Sequence, residues 1–141
     1  PGIAHQLIDI LVDHHFRGIV IAGTGLGHAP EYIFPSIRRA IEEGVVIAMT
    51  TQCIWGGVYM NVYETGRTLL SLGVIPGHNM LPEVAYVKLM WVLGHTTNPD
   101  EVRRLIEMNI AGEITEGEPY NGYVVLQGGI PEVDKLIEKL L

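Results

Sequence analysis

Two short and almost entirely apolar runs constrain the fold of this chain more than any other feature of its sequence. Gly18–Ala22 and Val45–Met49 are rich in β-branched residues, and each follows a segment whose apolar residues have helical spacing. A strand without polar alternation is covered on both faces, which is typical of parallel sheets that lie between helices. The two runs therefore predict buried strands of a parallel sheet.

The other elements are predicted from apolar residues at helical spacing, from glycines that end helices and from a proline that begins one. The predicted helices cover about residues 3–14, 36–43, 64–72, 81–93 and 98–108, the last beginning at the cap residue Asn98. Val74–Gly77 is too short for a central strand, and Pro76 would end it. A strand at Tyr123–Gln127 and a helix from Pro131 to Leu141 follow. This alternation predicts a small three-layer α/β/α domain, flavodoxin-like or Rossmann-like, with a mostly parallel sheet.

Composition disfavours several classes of function. The net charge is −7, and the nine basic residues are scattered, so nucleic-acid binding is not expected. No run reaches the roughly 18 apolar residues of a membrane span. The six histidines lack an H-x-x-x-H pair, and Cys53 is the single cysteine, so neither a zinc site nor an internal disulfide is predicted. We expect a cytoplasmic protein without metal, cofactor, nucleic acid or membrane contact.

Ligands of open parallel sheets bind at the carboxyl ends of the strands, and two loops occupy that position. Gly23–His28 is glycine-rich, but its spacing departs from the dinucleotide fingerprint, so a nucleotide site is the weaker alternative. Thr50–Asn61 combines hydroxyl, amide, thiol and aromatic groups. It is suited to border a polar pocket or, as the alternative, to cap neighbouring backbone. Cys53 is interpreted as inert packing or, less readily, as a nucleophile.

Seven short motifs occur in a fixed order along most of the chain. They are Pro1–Ile3, Gly18–His28, Met49–Cys53, Asn61–Arg67, Gly73–Pro76, Met80–Gly94 and Asn109–Ile114. In this order they resemble the C-terminal domain of the asparaginase/glutaminase family of threonine amidohydrolases. Within that family the similarity is strongest to the D subunit of the archaeal glutamyl-tRNA(Gln) amidotransferase, and next to cytoplasmic type I L-asparaginases. The resemblance covers residues 1–115.

The resemblance implies a supporting part in the hydrolysis of Asn or Gln side-chain amides. The family's nucleophilic threonine lies in an N-terminal domain, in motifs such as T-G-G-T and H-G-T-D-T that this sequence lacks. No catalytic residue is therefore predicted, and this chain alone is expected to be inactive. The family forms each active site between the N-terminal domain of one subunit and the C-terminal domain of its neighbour in a homodimer. The residues that match the pocket-closing loops are Gly23, Thr24, Gly25, Leu26, Gly27, His28, Gly57, Val58, Tyr59, Met60 and Asn61.

Some positions depart from other members. Some secreted asparaginases have Asn where Leu26 lies and Glu near Met60, so direct substrate contacts are not carried over to these two side chains. Gln52 and Cys53 match a region where some bacterial type I enzymes have an effector site, and the resemblance implies a possible effector site here.

Residues 116–141 lie beyond the resemblance and form an atypical tail. Family members have a strand immediately before the Pro-Gly-Ile motif, and this sequence does not contain it. The tail pairs a predicted strand with a helix, so we expect it to complete the same sheet, within the chain or swapped between two chains. An engineered or recombined α/β scaffold or binding domain without enzymatic activity is the alternative function.

Overall fold

A computed structural model of the protein describes residues 2–115. The elements are, in order, α1 (Gln6–Asp13), β1 (Gly18–Gly23), a 3₁₀ turn (Glu31–Ile33), α2 (Phe34–Glu42), β2 (Val46–Thr51), α3 (Glu64–Leu72), β3 (Ile75–Pro76), α4 (Pro82–His95) and α5 (Pro99–Glu107). The strands form one parallel sheet of order β1-β2-β3. The predicted α/β class with a parallel sheet is therefore confirmed.

The sheet is built around β2. It pairs with β1 from Gly18 opposite Val46 to Gly23 opposite Thr51, and with β3 on its other side. The side chains of β2 are almost completely buried, whereas the first five residues of β1 are only half-buried. The central strand β2 is therefore better covered than β1, although both contain a continuous apolar run.

Alternation of side chains divides the interior into two cores, one on each face of the sheet. On the first face α1, α2 and α3 cover the strand residues Ile19, Ile21, Ile47 and Met49, and Val74, just before β3, joins the same core. On the second face α4 and α5 cover Val20, Val46 and Ile75 with a cluster formed by Leu89, Val92, Val102, Leu105 and Ile106. Each fully buried aliphatic side chain contributes roughly 1.5–3 kcal/mol, so both cores hold helices on the sheet.

The helix boundaries follow local signals. Asn98 caps α5, because its side-chain oxygen accepts hydrogen bonds from the backbone N–H groups of Asp100 (3.0 Å) and Glu101 (3.1 Å). The cap predicted at Asn98 is therefore confirmed. Gly73 ends α3 in the left-handed conformation with φ of 109°, a geometry that favours glycine.

Several boundaries differ from the sequence-based prediction. The first helix begins at Gln6 and not near residue 3, and β2 extends to Thr51 and not only to Met49. Ile75–Pro76 forms a real but two-residue edge strand, because proline lacks the N–H group that a longer ladder needs. The strand at Tyr123–Gln127 and the helix from Pro131 lie outside the described residues.

An exposed ion network joins α1 to α2. Arg39 donates hydrogen bonds to Asp9 (3.2 Å), Asp13 (2.5 Å) and Glu43 (2.8 Å). Partial burial favours the protonated form of Asp9, but hydrogen bonds from Ser36, Arg39 and His5 outweigh that effect and lower its pKa. The same carboxylates raise the pKa of Arg39, so its charge is fixed.

A buried ion pair ties the last described residues to α4. Lys88, which is 7% exposed, donates to Glu113 and to the carbonyl of Met108, each at 2.5 Å. Glu113 also accepts hydrogen bonds from the backbone N–H groups of Ile110 and Ala111. Burial alone would raise the pKa of Glu113, but Lys88 and these N–H groups lower it to about 2.

One side of α4 carries an exposed apolar band, which consists of Tyr86, Val87, Met90 and Trp91. Its opposite side contributes Ala85, Leu89 and Val92 to the interior. The helix is therefore apolar nearly all round, unlike α5, whose apolar residues lie on one face. No helix within residues 2–115 is long and apolar enough to cross a membrane.

Candidate functional site

The two loops singled out in the sequence begin side by side at the carboxyl edge of the sheet. Gly23 ends β1 directly opposite Thr51, the last residue of β2. The backbone N–H of Gln52 then donates to the carbonyl of Gly23 at 2.8 Å. The two chains therefore leave the sheet at the same point, as expected for parallel strands of equal register.

The first loop is a closed turn. Thr24 and His28 exchange two backbone hydrogen bonds of 2.9 Å each, and Gly27 donates a third to the carbonyl of Thr24. Gly25 and Gly27 have φ values of 51° and 95°, which explains why glycine occupies these positions. The turn uses most of its N–H groups internally. It therefore differs from a phosphate-binding loop, whose N–H groups point at the ligand, and it does not favour the nucleotide alternative.

The second loop is hydrogen-bonded to the first. The N–H of Tyr59 donates to the carbonyl of Leu26 at 3.0 Å, and the hydroxyl of Thr51 donates to the carbonyl of Gly25 at 2.6 Å. The structure therefore brings the two predicted segments, Gly23–His28 and Gly57–Asn61, into one continuous surface. Thr51 holds this surface from below, and it is 2% exposed.

Close packing fixes the shape of the second loop. Val58 and Met60 are 5% and 2% exposed and belong to the first core, so they shape the surface from beneath. Gly27 packs against Val58 so tightly that a Cβ on it would lie 2.9 Å from a methyl group. A Cβ on Gly66 of α3 would collide with the carbonyl oxygen of Met60. Tyr59 points outward and is 59% exposed.

The loop also has a polar anchor at its end. Arg67 of α3 donates to the backbone carbonyls of Asn61 and Val62, each at 3.1 Å. Gly57 lies against the backbone of His78, whose carbonyl accepts a hydrogen bond from Val58 at 2.9 Å. Asn61 is exposed at the rim. These contacts hold the backbone of the loop while leaving its outward side chains accessible.

His28 supplies the one imidazole group of the two predicted segments. Its Nδ1 lies 2.8 Å from the hydroxyl of Thr65, and its ring lies 5.2 Å from that of Tyr63 at a tilt of 59°. The ring is half-buried. Because Nδ1 is engaged with Thr65, Nε2 is the ring atom that remains for another molecule. Thr65 and Tyr63 were not singled out as site residues from the sequence, although both lie in the motif Asn61–Arg67.

Gln52 and Cys53 lie at the beginning of the second loop. The side chain of Gln52 donates to the carbonyl of Ala22 at 2.8 Å, and the N–H of Cys53 donates to the hydroxyl of Thr51 at 3.1 Å. The thiol of Cys53 is exposed, so the interpretation as core packing is wrong. Within residues 2–115 no three His, Cys, Asp or Glu side chains are grouped so that they could hold a metal ion.

Fold and surface together define a class of protein: a Rossmann-like α/β domain that presents two interlocked loops at the carboxyl edge of its sheet. Residues 1–106 match the model of the glutaminase/asparaginase C-terminal domain. The chain therefore belongs to the glutaminase/asparaginase family, and the resemblance seen in its motifs is confirmed.

Individual relatives agree with this assignment. The chain is 60% identical over 124 residues to the D subunit of the glutamyl-tRNA(Gln) amidotransferase from Pyrococcus abyssi, covering 88% of this chain and 28% of the relative. It is 56% identical over 123 residues to the corresponding protein of Thermococcus kodakarensis, covering 87% of this chain and 27% of the relative. The chain thus spans little more than a quarter of the length of these relatives.

Solved structures share the fold. The thermostable L-asparaginase from Thermococcus kodakarensis superimposes with a TM-score of 0.76 at 39% identity, covering 83% of this chain and 36% of the other. L-asparaginase I from Vibrio cholerae superimposes with a TM-score of 0.73 at 33% identity, covering 82% of this chain and 35% of the other.

Proposed function

We propose that this chain acts as the C-terminal domain of an asparaginase-type amidohydrolase and helps to close the active site of a neighbouring subunit. The observation that carries the proposal is the hydrogen-bonded junction of Gly23–His28 with Gly57–Asn61 at the carboxyl edge of the sheet. A rigid surface at this edge is where α/β domains bind ligands. The catalytic threonine would come from an asparaginase-type N-terminal domain, and two copies of the protein that both domains form would assemble as a homodimer.

The groups presented at this surface suit a polar amide substrate. His28 offers Nε2 from a ring held by Thr65, and Tyr59 and Asn61 offer a phenol and an amide. None of these groups is a nucleophile activated by an adjacent base with an orienting third residue. They are suited to positioning a substrate and excluding water, and the bond-breaking step would belong to the threonine of the N-terminal domain.

The names of the relatives support a substrate class. The reaction would be hydrolysis of the side-chain amide of free Asn or Gln, or release of ammonia from Gln for the formation of Gln-tRNA by an amidotransferase. A cytoplasmic location fits a chain whose single cysteine, Cys53, is an exposed free thiol. Gln52 and Cys53, at the rim of the surface, would form the effector site if the parent enzyme has one.

A complementation assay tests the proposal. The 141-residue chain is mixed with the N-terminal catalytic domain of the Pyrococcus abyssi relative, and ammonia release from Asn and from Gln is measured. We expect no turnover by the chain alone and turnover by the mixture. His28→Ala should lower the activity of the mixture about tenfold or more, by removal of one positioned group. His95→Ala, an exposed histidine on α4, is the matched control and should have no effect.

Two results would contradict this function. Turnover by the 141-residue chain alone would show that its own residues break the amide bond. No association with the N-terminal domain in a pull-down would favour the free-standing scaffold instead.

A further inference from the structure

The contact between His28 and Thr65 joins the first loop to the beginning of α3. Nδ1 of His28 lies 2.8 Å from the hydroxyl oxygen of Thr65. Two backbone hydrogen bonds of 2.9 Å each hold His28 to Thr24. Gly66, next to Thr65, packs so closely against the carbonyl of Met60 that no Cβ fits between them. Both partners of the contact therefore belong to tightly held backbone, and the imidazole ring has a fixed position.

A second histidine shows what the partner of Nδ1 decides. Nδ1 of His95 lies 2.7 Å from the carbonyl oxygen of Trp91. A carbonyl accepts hydrogen bonds and cannot donate one, so Nδ1 of His95 carries a proton, and Nε2 is the acceptor when the ring is neutral. A hydroxyl can donate or accept. The tautomer of His28 therefore depends on where the hydroxyl of Thr65 directs its hydrogen.

The beginning of α3 favours donation from Thr65 to His28. One turn further along the helix, Thr68 donates its hydroxyl hydrogen to the carbonyl of Glu64 at 3.0 Å. Thr65 has no helical carbonyl one turn before it, because Glu64 is the first residue of α3, so its hydroxyl hydrogen is available to His28. The N-terminal end of a helix is also its positive end, which favours a lone pair over an N–H group on the ring atom that faces it. Both effects favour Nδ1 of His28 as the acceptor.

We propose that Thr65 holds His28 in the tautomer with its proton on Nε2, so that this atom donates a hydrogen bond to an oxygen of the bound substrate. The substrate is the Asn or Gln of the proposed function, on which the inference rests. Its amide carbonyl and its carboxylate both offer an acceptor oxygen, which a ring with an unprotonated Nε2 could not bind. Thr65 is then a positioning residue, because it acts through His28 and does not touch the substrate.

Nuclear magnetic resonance of the 141-residue chain tests the tautomer without any second domain. At about pH 8.5 unperturbed imidazoles are neutral, and long-range proton–nitrogen spectra show which ring nitrogen carries the proton. We expect the proton of His28 on Nε2 and that of His95 on Nδ1. In Thr65→Val the signals of His28 should move towards those of an exposed histidine, and Thr65→Ser should restore them. A proton on Nδ1 of His28, or unchanged signals in Thr65→Val, would overturn the proposal.

Kinetics of the mixture with the N-terminal catalytic domain test the effect on the substrate. Thr65→Val should raise KM for Asn about fivefold, as expected for one neutral hydrogen bond, with little change in kcat, and Thr65→Ser should stay close to the native value. His28→Ala combined with Thr65→Val should lose no more activity than His28→Ala alone, because Thr65 acts through His28. Thr68→Val removes a hydroxyl that bonds within α3 and is the matched control, with an unchanged KM.

The acceptor oxygen is identified with 3-aminopropanamide, an analogue of Asn without the carboxylate. If His28 contacts the carboxylate, His28→Ala leaves the inhibition constant of this analogue unchanged; if it contacts the amide carbonyl, the constant rises together with KM for Asn.

The failure of this inference can be distinguished from the failure of the proposed function. An unchanged KM for Asn in an active mixture with Thr65→Val would overturn the inference and leave the proposed function intact. Weaker association of Thr65→Val with the N-terminal domain at an unchanged KM would assign the acceptor to that domain and would also overturn it. A mixture without turnover would contradict the proposed function and the contact with substrate together, while the spectra of the chain alone still decide the tautomer of His28.

Discussion

The two faces of the sheet use charge in opposite ways. On the α1–α2 side, Arg39 contacts three carboxylates, yet its side chain is 39% exposed. On the α4 side, Lys88 has one carboxylate partner within residues 2–115, Glu113, and the two side chains are 6% and 12% exposed. Charges in water interact weakly and are screened, whereas buried charges interact strongly and are costly to leave alone. Burial of an ion pair therefore matters more to stability than the number of its partners.

Removal of Lys88 should have the largest effect. Lys88→Met leaves Glu113 buried without its cation, and we expect a loss of about 3–5 kcal/mol in the free energy of unfolding, measured by urea denaturation. The double variant Lys88→Met/Glu113→Leu should recover most of that loss, because no buried charge is left. A loss below about 1 kcal/mol for Lys88→Met would mean that this pair behaves like a surface pair.

Acid should act on the same pair with a somewhat smaller effect. The folded-state pKa of Glu113 is about 2, below its ordinary value of 4.5, so its contribution to stability is complete above the higher value. It is lost as the pH falls from 4.5 towards 2, and amounts to about 3 kcal/mol. Unfolding free energies of the native chain and of Glu113→Gln, measured across this range, should converge as the pH falls. If the two unfolding free energies stayed equally far apart over this pH range, the lowered pKa of Glu113 would be contradicted.

The helix beginnings on the two faces also differ. Asn98 caps α5 with two hydrogen bonds, whereas α2 begins after Ile33 without a side-chain cap. Asn98→Ala should cost about 1 kcal/mol in the free energy of unfolding. Ile33 is buried in the first core, so replacing it with a capping residue would also remove a core side chain and would not test the cap alone. Asp100→Ala, which keeps the Asn98 cap, is the control and should cost less than Asn98→Ala.

Replacement of Arg39 should have the smallest effect. Arg39→Met removes three exposed ion pairs, yet it should lower the free energy of unfolding by less than Asn98→Ala does, because water screens exposed charges. The change should shrink further in high salt. Arg38→Met, the exposed neighbour on the same helix, is the matched control. If Arg39→Met lowered the free energy of unfolding as much as Lys88→Met does, burial would not be what makes an ion pair important for stability.

Strong periodicity made most of the fold predictable from the sequence. The runs at β1 and β2 stand out because they are continuously apolar, α4 because it is a long apolar segment, and α5 because its apolar residues lie on one face. The extension of β2 to Thr51 was not predicted, because threonine in a buried strand depends on tertiary hydrogen bonds. The hydroxyl of Thr51, for example, has its acceptor on Gly25. Ile75–Pro76 pairs only because β2 is beside it.

The site was predicted at the level of loops and not of contacts. The rule that ligands bind at the ends of parallel strands indicated both loops, and the structure joins them through Leu26 and Tyr59. His28 contacts Thr65 and Tyr63, which lie 37 and 35 positions away from it in the sequence. No local pattern reveals such pairs. The distinction between buried Met60 and exposed Tyr59 likewise depends on which way the loop turns.

The apolar band of α4 has a consequence for how molecules of this protein meet in solution. At a net charge of −7 they repel one another in dilute buffer. Added salt screens that repulsion but leaves the attraction between Tyr86, Val87, Met90 and Trp91 of different molecules in place. The solubility of the isolated chain should therefore fall as salt is added, and replacing residues of this band with polar ones should make the fall smaller.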